Sequence, residues 1–244
     1  MPDLSYELIK ESMKHSASGE ELFQIKAVRD IPGASVKKGD LGGWIGKYAK
    51  LLDDAWISGD ARVYGTAQVY GTAQVYDDAR VSGNARVHGN SHVYGNARVY
   101  GNSWVHGTAR VHGNSHVYGN SWVHGNARVH GDALVYGDAQ VHDDALVYGD
   151  ARDYGTARVC GDARVCGDDI IKGGNGLVNI INPSGYSITV TKKYFYVGCR
   201  QFPIGSAKKN LLKTAIMHGF SESQYKNYKR VIRSAMKLIN IEDN

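Results

Sequence analysis

Cysteine is scarce: the 244-residue chain has three, Cys160, Cys166 and Cys199. That is too few for a disulfide-stapled scaffold. Cys160 and Cys166 also occupy equivalent positions in neighbouring six-residue units, and an extended step of six residues carries their Cα atoms well past the roughly 7 Å a disulfide spans. A reducing compartment, hence a cytoplasmic location, is the expectation. No apolar run approaches the roughly 18 residues that cross a bilayer, which excludes a transmembrane helix and leaves no membrane partner expected. The N-terminal MPDLSYELIKESMKHS mixes both charge signs and has no apolar core, so it does not read as a secretory signal. Nor is acid in excess. Residues 1–44 carry 6 Lys/Arg against 7 Asp/Glu, and residues 45–172 carry 12 against 14. This near-neutral stretch excludes an acidic mimic of nucleic acid. Residues 173–244 carry 11 basic against 3 acidic side chains, so the net charge of +5 comes from the tail. Any electrostatic footprint for an anionic partner lies there.

What the chain has in abundance is one sentence repeated. From Gly42 to Lys172 the pattern Gly-(Asn/Asp/Thr)-Ala-x-Val-(Tyr/His) recurs, and its aliphatic slot runs from Ile45 to Ile171 as 22 hexads without insertion or deletion. A strict short period over half a chain marks a solenoid, because a single repeat cannot bury its apolar side and must stack on its neighbours. Within one hexad, Ala97 and Val99 alternate with Arg98 and Tyr100, as on a strand with one face buried. The following Gly-Asn breaks the strand, since glycine takes positive φ without a Cβ penalty. Where glycine is missing, Asp53-Asp54, Asp77-Asp78 and Asp143-Asp144 stand in, and Asp tolerates the same corner. Three sides, one hexad to each, close a triangular coil. At about 4.8 Å per coil, 22 hexads stack into about seven coils and a prism roughly 35 Å long.

The hexad resembles the left-handed parallel β-helix of the hexapeptide-repeat superfamily, and the resemblance implies that handedness. Residues 22–44, LFQIKAVRDIPGASVKKGDLGGW, resemble the entry segment of YdcK-like β-solenoid proteins, an apolar strand leading through Val-Lys-x-Gly to Gly-Gly-Trp. The tail 194–239, opening YFYVGCRQFPIG, resembles the tails of hexapeptide-repeat proteins from phages, prophages and gut bacteria. No catalytic residue is carried over from any of them, because function belongs to sites and not to folds.

Three regions follow: an N-terminal cap over 1–41, the solenoid over 42–172, and a basic C-terminal module over 173–244. A solenoid end exposes an apolar cross-section and open strand edges, so it needs a cap. Residues 4–14 are predicted as a short helix and 22–29 as a strand over the first coil. In the tail, 186–191 and 194–199 alternate like a hairpin turning at Lys192-Lys193. Helices are predicted over 206–218 and 221–239, forming a helical hairpin, with Ser221 at an N-cap and Gln224 three residues on.

Outward slots three hexads apart stack into columns. One column is Tyr64, Ser82, Tyr100, Tyr118, Tyr136 and Tyr154, and another is Tyr76, Tyr94, His112, His130, Tyr148 and Cys166. A third is Tyr70, His88, His106, His124, His142 and Cys160, beside Gln68, Arg86, Trp104, Trp122, Gln140 and Arg158. Planar side chains at strand spacing make stabilising ladders. Exposed tryptophans in one patch also mark interfaces, so Trp104 and Trp122, with His106, His124, Arg86 and His88, form the candidate binding face. In the second predicted helix Lys226, Lys229, Arg230, Arg233 and Lys237 fall three and four apart, opposite Tyr228, Ile232 and Met236, as a candidate basic docking stripe. No metal site is expected: the pairs His88/His92 and His112/His116 do not match the spacing of the γ-class carbonic anhydrases that share the hexapeptide fold. Asp153 stands in a slot that is otherwise aliphatic; either the strand bulges to expose it or it pairs with Arg152 or a neighbouring hydroxyl, and a local strand defect is the expectation.

The residues therefore point to a non-enzymatic scaffold or binding protein without a cofactor, self-associating through its faces, with a trimer favoured. The tail resemblance implies phage origin and action on a host protein. The alternative is a coenzyme A-dependent acyltransferase of the hexapeptide type. Those enzymes resemble one another in placing a catalytic histidine on a loop protruding from the solenoid, and no hexad here has room for such a loop.

Overall fold

A buried valine every six residues winds the chain into three parallel sheets. The computed structural model describes residues 4–161, 163–165, 168, 170–171, 177–180, 188–197, 200–204 and 221–238. Each hexad forms a two-residue strand, such as Arg98–Val99, and pairs in register with the strands three hexads before and after it, here Arg80–Val81 and His116–Val117. Two of the three sheets have seven strands and the third has ten. Val63, Val81, Val99 and Val117 fill the interior with no exposure, and Ala61, Ala79 and Ala97 sit where the corner narrows. At Ser91, Ser103 and Ser115 the small slot holds a hydroxyl instead. Each is fully buried, and its Oγ donates to the carbonyl three residues earlier at 2.8–2.9 Å, which removes the penalty of an unmatched buried polar group.

The corners turn as the repeat requires. Their glycines have φ of 60–75°, and Asp53, Asp77 and Asp143 adopt 57–59° in their place. These aspartates add a bond glycine cannot make. Their Oδ2 atoms accept the N–H of Gly71, Gly95 and Gly161, one coil on, at 2.9–3.1 Å. Beside them run side-chain ladders, as Asn84 donates to Asn102, Asn102 to Asn120, and Asn120 to Asp138 at 2.9–3.1 Å.

The N-terminal cap departs from expectation. Residues 4–14 are not a helix: Tyr6–His15 (β1) is a strand, antiparallel to Glu21–Ala27 (β2), which pairs in turn with Leu41–Gly46 (β3), the first side of the first coil. The first coil leaves an edge of unpaired backbone groups, and pairing with it outweighs a weak local helical preference. Side chains pin the cap: Glu20 Oε2 accepts the N–H of Gly65 at 2.8 Å, and Lys14 pairs with Asp60 at 2.7 Å while lying over the Trp44 ring.

Asp153 corrects a second expectation. No bulge expels it: the strand Arg152–Asp153 keeps register with Val135 on one side and Ile171 on the other, and Asp153 is fully buried. Ladder bonds above and below hold the backbone, so the side chain follows the valine column inward.

In the tail the hairpin is present and wider than predicted. Ile188–Thr191 and Tyr194–Val197 pair about Lys192-Lys193, flanked by Leu177–Ile180 and Arg200–Pro203 in a four-stranded antiparallel sheet. This sheet is tied to the last coil. The N–H of Arg164 donates to Thr189 Oγ1 at 3.1 Å, and Asp168 accepts from Lys193 Nζ at 2.6 Å and from the Tyr194 hydroxyl at 2.9 Å. One helix, α1 (Glu222–Leu238), packs against the sheet through its strand Ile188–Thr191, with Ala235 buried. The carbonyl of Ser221 accepts the N–H of Tyr225 at 3.0 Å, consistent with its expected N-cap place. The other predicted helix, 206–218, and with it the helical hairpin, lies outside the described residues.

Candidate binding face

Strands of two residues leave two outward slots per hexad, one on the strand and one just after it. On the second sheet, the seven-stranded one that runs from Lys50–Leu51 to Arg158–Val159, parallel register sets Arg86 beside Trp104 and Trp104 beside Trp122. The two indoles stack with centroids 5.1 Å apart and planes 5° from parallel, and the Arg86 guanidinium lies 4.7 Å from the Trp104 ring. Trp104 is half-buried and Trp122 is 39 % exposed.

The adjoining slot is a continuous ladder. Tyr70, His88, His106, His124 and His142 stack with centroids 4.6–5.0 Å apart and planes within 7° of parallel. The histidine edges touch the tryptophans: His88 meets Trp104 at 6.1 Å and His106 meets Trp122 at 6.3 Å, both near perpendicular. Packing of this kind removes water. Burial first, and the Arg86 charge second, lower the pKa of His88, whose Nε2 is buried with no hydrogen-bond partner among the described residues. His106 is lowered by burial and then by His88; His124 is lowered by burial and then by His106 and His142. His88, His106 and His124 are therefore neutral imidazoles near pH 7 that resist joint protonation. Parallel rings about 5 Å apart hold their in-plane lone pairs parallel, so successive residues do not converge on one metal ion at the roughly 2.0–2.1 Å that zinc–nitrogen bonds need. His88 and His92, four residues apart in sequence, lie on different sheets, as do His112 and His116.

The other faces carry ladders too, and their tryptophans, Trp44 and Trp56, are buried. Tyr100, Tyr118, Tyr136 and Tyr154 stack at 4.9–5.0 Å on one. Tyr76, Tyr94, His112, His130 and Tyr148 stack at 4.6–5.2 Å on the other. One feature escaped the sequence reading: Arg62, Arg80 and Arg98 stand in register on successive strands of the ten-stranded sheet. Their recurrence every third hexad in the first outward slot was the signal.

The basic stripe of the tail lies on α1. Lys226, Lys229, Arg230, Arg233, Ser234 and Lys237 line one shallow groove of about 350 Å³. At 100° per residue these positions lie opposite the buried Ala235. Lys226 pairs with Glu222 at 2.7 Å, and Lys229 lies 5.8 Å from the Tyr225 ring. The side chains of Tyr228, Ile232 and Met236, and all of Cys166 and Cys199, lie outside what is described.

By fold and repeat, then, this is a parallel β-solenoid repeat protein of about seven coils with a small capped tail. The family model described as the YdcK β-solenoid repeat matches residues 55–71, 73–89 and 92–107, each segment about one coil long, so the repeat is YdcK-like. No curated protein matches the chain. Among the described residues no helix is long and apolar enough to cross a membrane.

Proposed function

We propose that the protein is a non-enzymatic binding scaffold that self-associates through the second sheet, with a trimer as the assembly. One observation carries this reading: Trp104 and Trp122 form a stacked, partly exposed indole pair on a flat, rigid sheet, topped by Arg86. A contiguous aromatic patch rimmed by charge has the composition of an interface centre and not of ordinary surface. Closed symmetry suits it, because a repetitive face that paired head to tail would extend into a filament. The unbroken hexads also support it over acyl transfer, since from Ile45 to Ile171 the described coils carry no protruding loop to hold a catalytic histidine. Light scattering at micromolar concentration tests the proposal. The expected mass is three times the 26.6 kDa of the chain, falling to the single-chain mass in the Trp104→Ser, Trp122→Ser variant. A wild-type mass of 26.6 kDa overturns it. Binding of coenzyme A, seen as a raised thermal transition, would support the enzymatic alternative.

A further inference from the structure

We infer that α1 is a docking strip for the phosphate backbone of duplex nucleic acid, engaged without regard to base sequence. Three observations carry this. First, the described residues that line the groove on α1 are five cationic residues and one serine, with Glu222 paired to Lys226 at the N-terminal end. A protein partner would call for an apolar centre inside a polar rim, and none of the described lining residues is apolar. Polyphosphate asks for cations alone.

Second, the strip is straight and placed outward. From Lys226 to Lys237 the cations span about 16 Å of helix, because an α-helix rises about 1.5 Å per residue. One DNA strand rises about 3.4 Å per nucleotide, so the strip runs alongside about five phosphates. The opposite side of the helix carries buried Ala235 and packs against the strand Ile188–Thr191, so the basic side is the one left facing solvent.

Third, the lining selects duplex over single strand. Unpaired bases are held by stacking on aromatic rings, and among the described residues no ring lines the groove. The charge is also segregated: the tail is strongly basic beside a solenoid that is near neutral, so folding of the prism does not call for it. The tail sheet is bonded to the last coil through Asp168 and Thr189, which gives the strip a fixed mount.

Fluorescence anisotropy of the full chain with a labelled mixed-sequence duplex of about 20 base pairs tests this. With about four phosphates neutralised, affinity should fall about 100-fold between about 50 and 200 mM KCl. Changing Lys226, Lys229 and Lys237 together to Gln should weaken binding at least about tenfold at the lower salt. The same variant should keep the wild-type thermal transition and circular dichroism. A second variant, Lys47→Gln with Lys50→Gln on the solenoid, should bind as wild type. A single strand of the same length should bind more weakly than the duplex. Absence of duplex binding at about 50 mM KCl, a salt-independent affinity, or full retention of binding in the folded Lys→Gln variant each overturns the inference. Tighter binding of poly-glutamate than of duplex overturns it in favour of an acidic protein.

Discussion

His106 lies flat against His124, with ring centroids 4.9 Å apart and planes 3° from parallel. Two imidazolium ions in that arrangement repel each other in a partly dry setting, so the folded column binds protons more weakly than the unfolded chain. Burial lowers His88, His106 and His124, each further depressed by a neighbour, Arg86 for the first and other rings for the rest; Asp143 beside His142 opposes the trend at His124. The folded values lie below the ordinary histidine value of 6.5. The unfolded state therefore holds more protons as pH falls through that value, and stability present above it is lost below it. The thermal midpoint should be flat above about pH 7 and decline between about 6.5 and 5. Changing His106 and His124 to Gln should lessen the decline, the remainder belonging to His88, His92, His112, His116 and His130, which burial also lowers. A decline as steep in the double variant as in the wild type would refute a contribution from the ladder.

At Gly101 the corner has φ of 73°, and an added Cβ would lie 3.0 Å from the backbone N and O of Gly119. Alanine there should destabilise by about 1–2 kcal/mol, the cost of a left-handed conformation for an L-residue. Aspartate, although larger, should cost less. At Asp77 the same corner is occupied by a carboxylate that accepts the N–H of Gly95. Paired thermal melts of Gly101→Ala and Gly101→Asp check the order, and a less stable Asp variant would count against it.

Asp153 occupies a valine position between Val135 and Ile171 and is fully buried. Whatever satisfies its carboxyl group, desolvating it is expensive, and replacing buried ionic groups with well-packed apolar ones is commonly neutral to stabilising by about 1–4 kcal/mol. Asp153→Val should raise the denaturation midpoint. A lowered midpoint would mean that the carboxyl group organises its surroundings.

Arg86, Trp104 and Trp122 form one stack, with a cation at its head and the most exposed ring at its foot. A double-mutant cycle between Trp104→Ala and Trp122→Ala should give a coupling of about 0.5–1.5 kcal/mol, as for other aromatic pairs. Additive single effects would show the rings to be adjacent but uncoupled.

The repeat was legible because its period in sequence is its period in space. Val99 pairs with Val81 and Val117 because three hexads make one coil, and His88, His106 and His124 stack for the same reason. The cap was not legible. Residues 6–15 have no period that declares a strand, and their conformation is decided by the open edge of Leu41–Gly46, reached through Glu21–Ala27. The basic stripe was legible from helical spacing alone, but the sheet beneath it was only half seen, as a hairpin where four strands form.

By itself, then, the sequence determined the coil, its corners, its columns and the place of the tryptophans, since each depends only on a translation repeated without slip. Tertiary structure alone decided the strand at the N-terminus, the inward course of Asp153 and the mounting of the tail on Asp168 and Thr189. At the N-terminus and in the tail the deciding partner is a backbone edge or side chain far away in sequence and outside the period; at Asp153 it is the ladder of Val135 and Ile171, which holds the strand in register against the cost of burying a carboxylate.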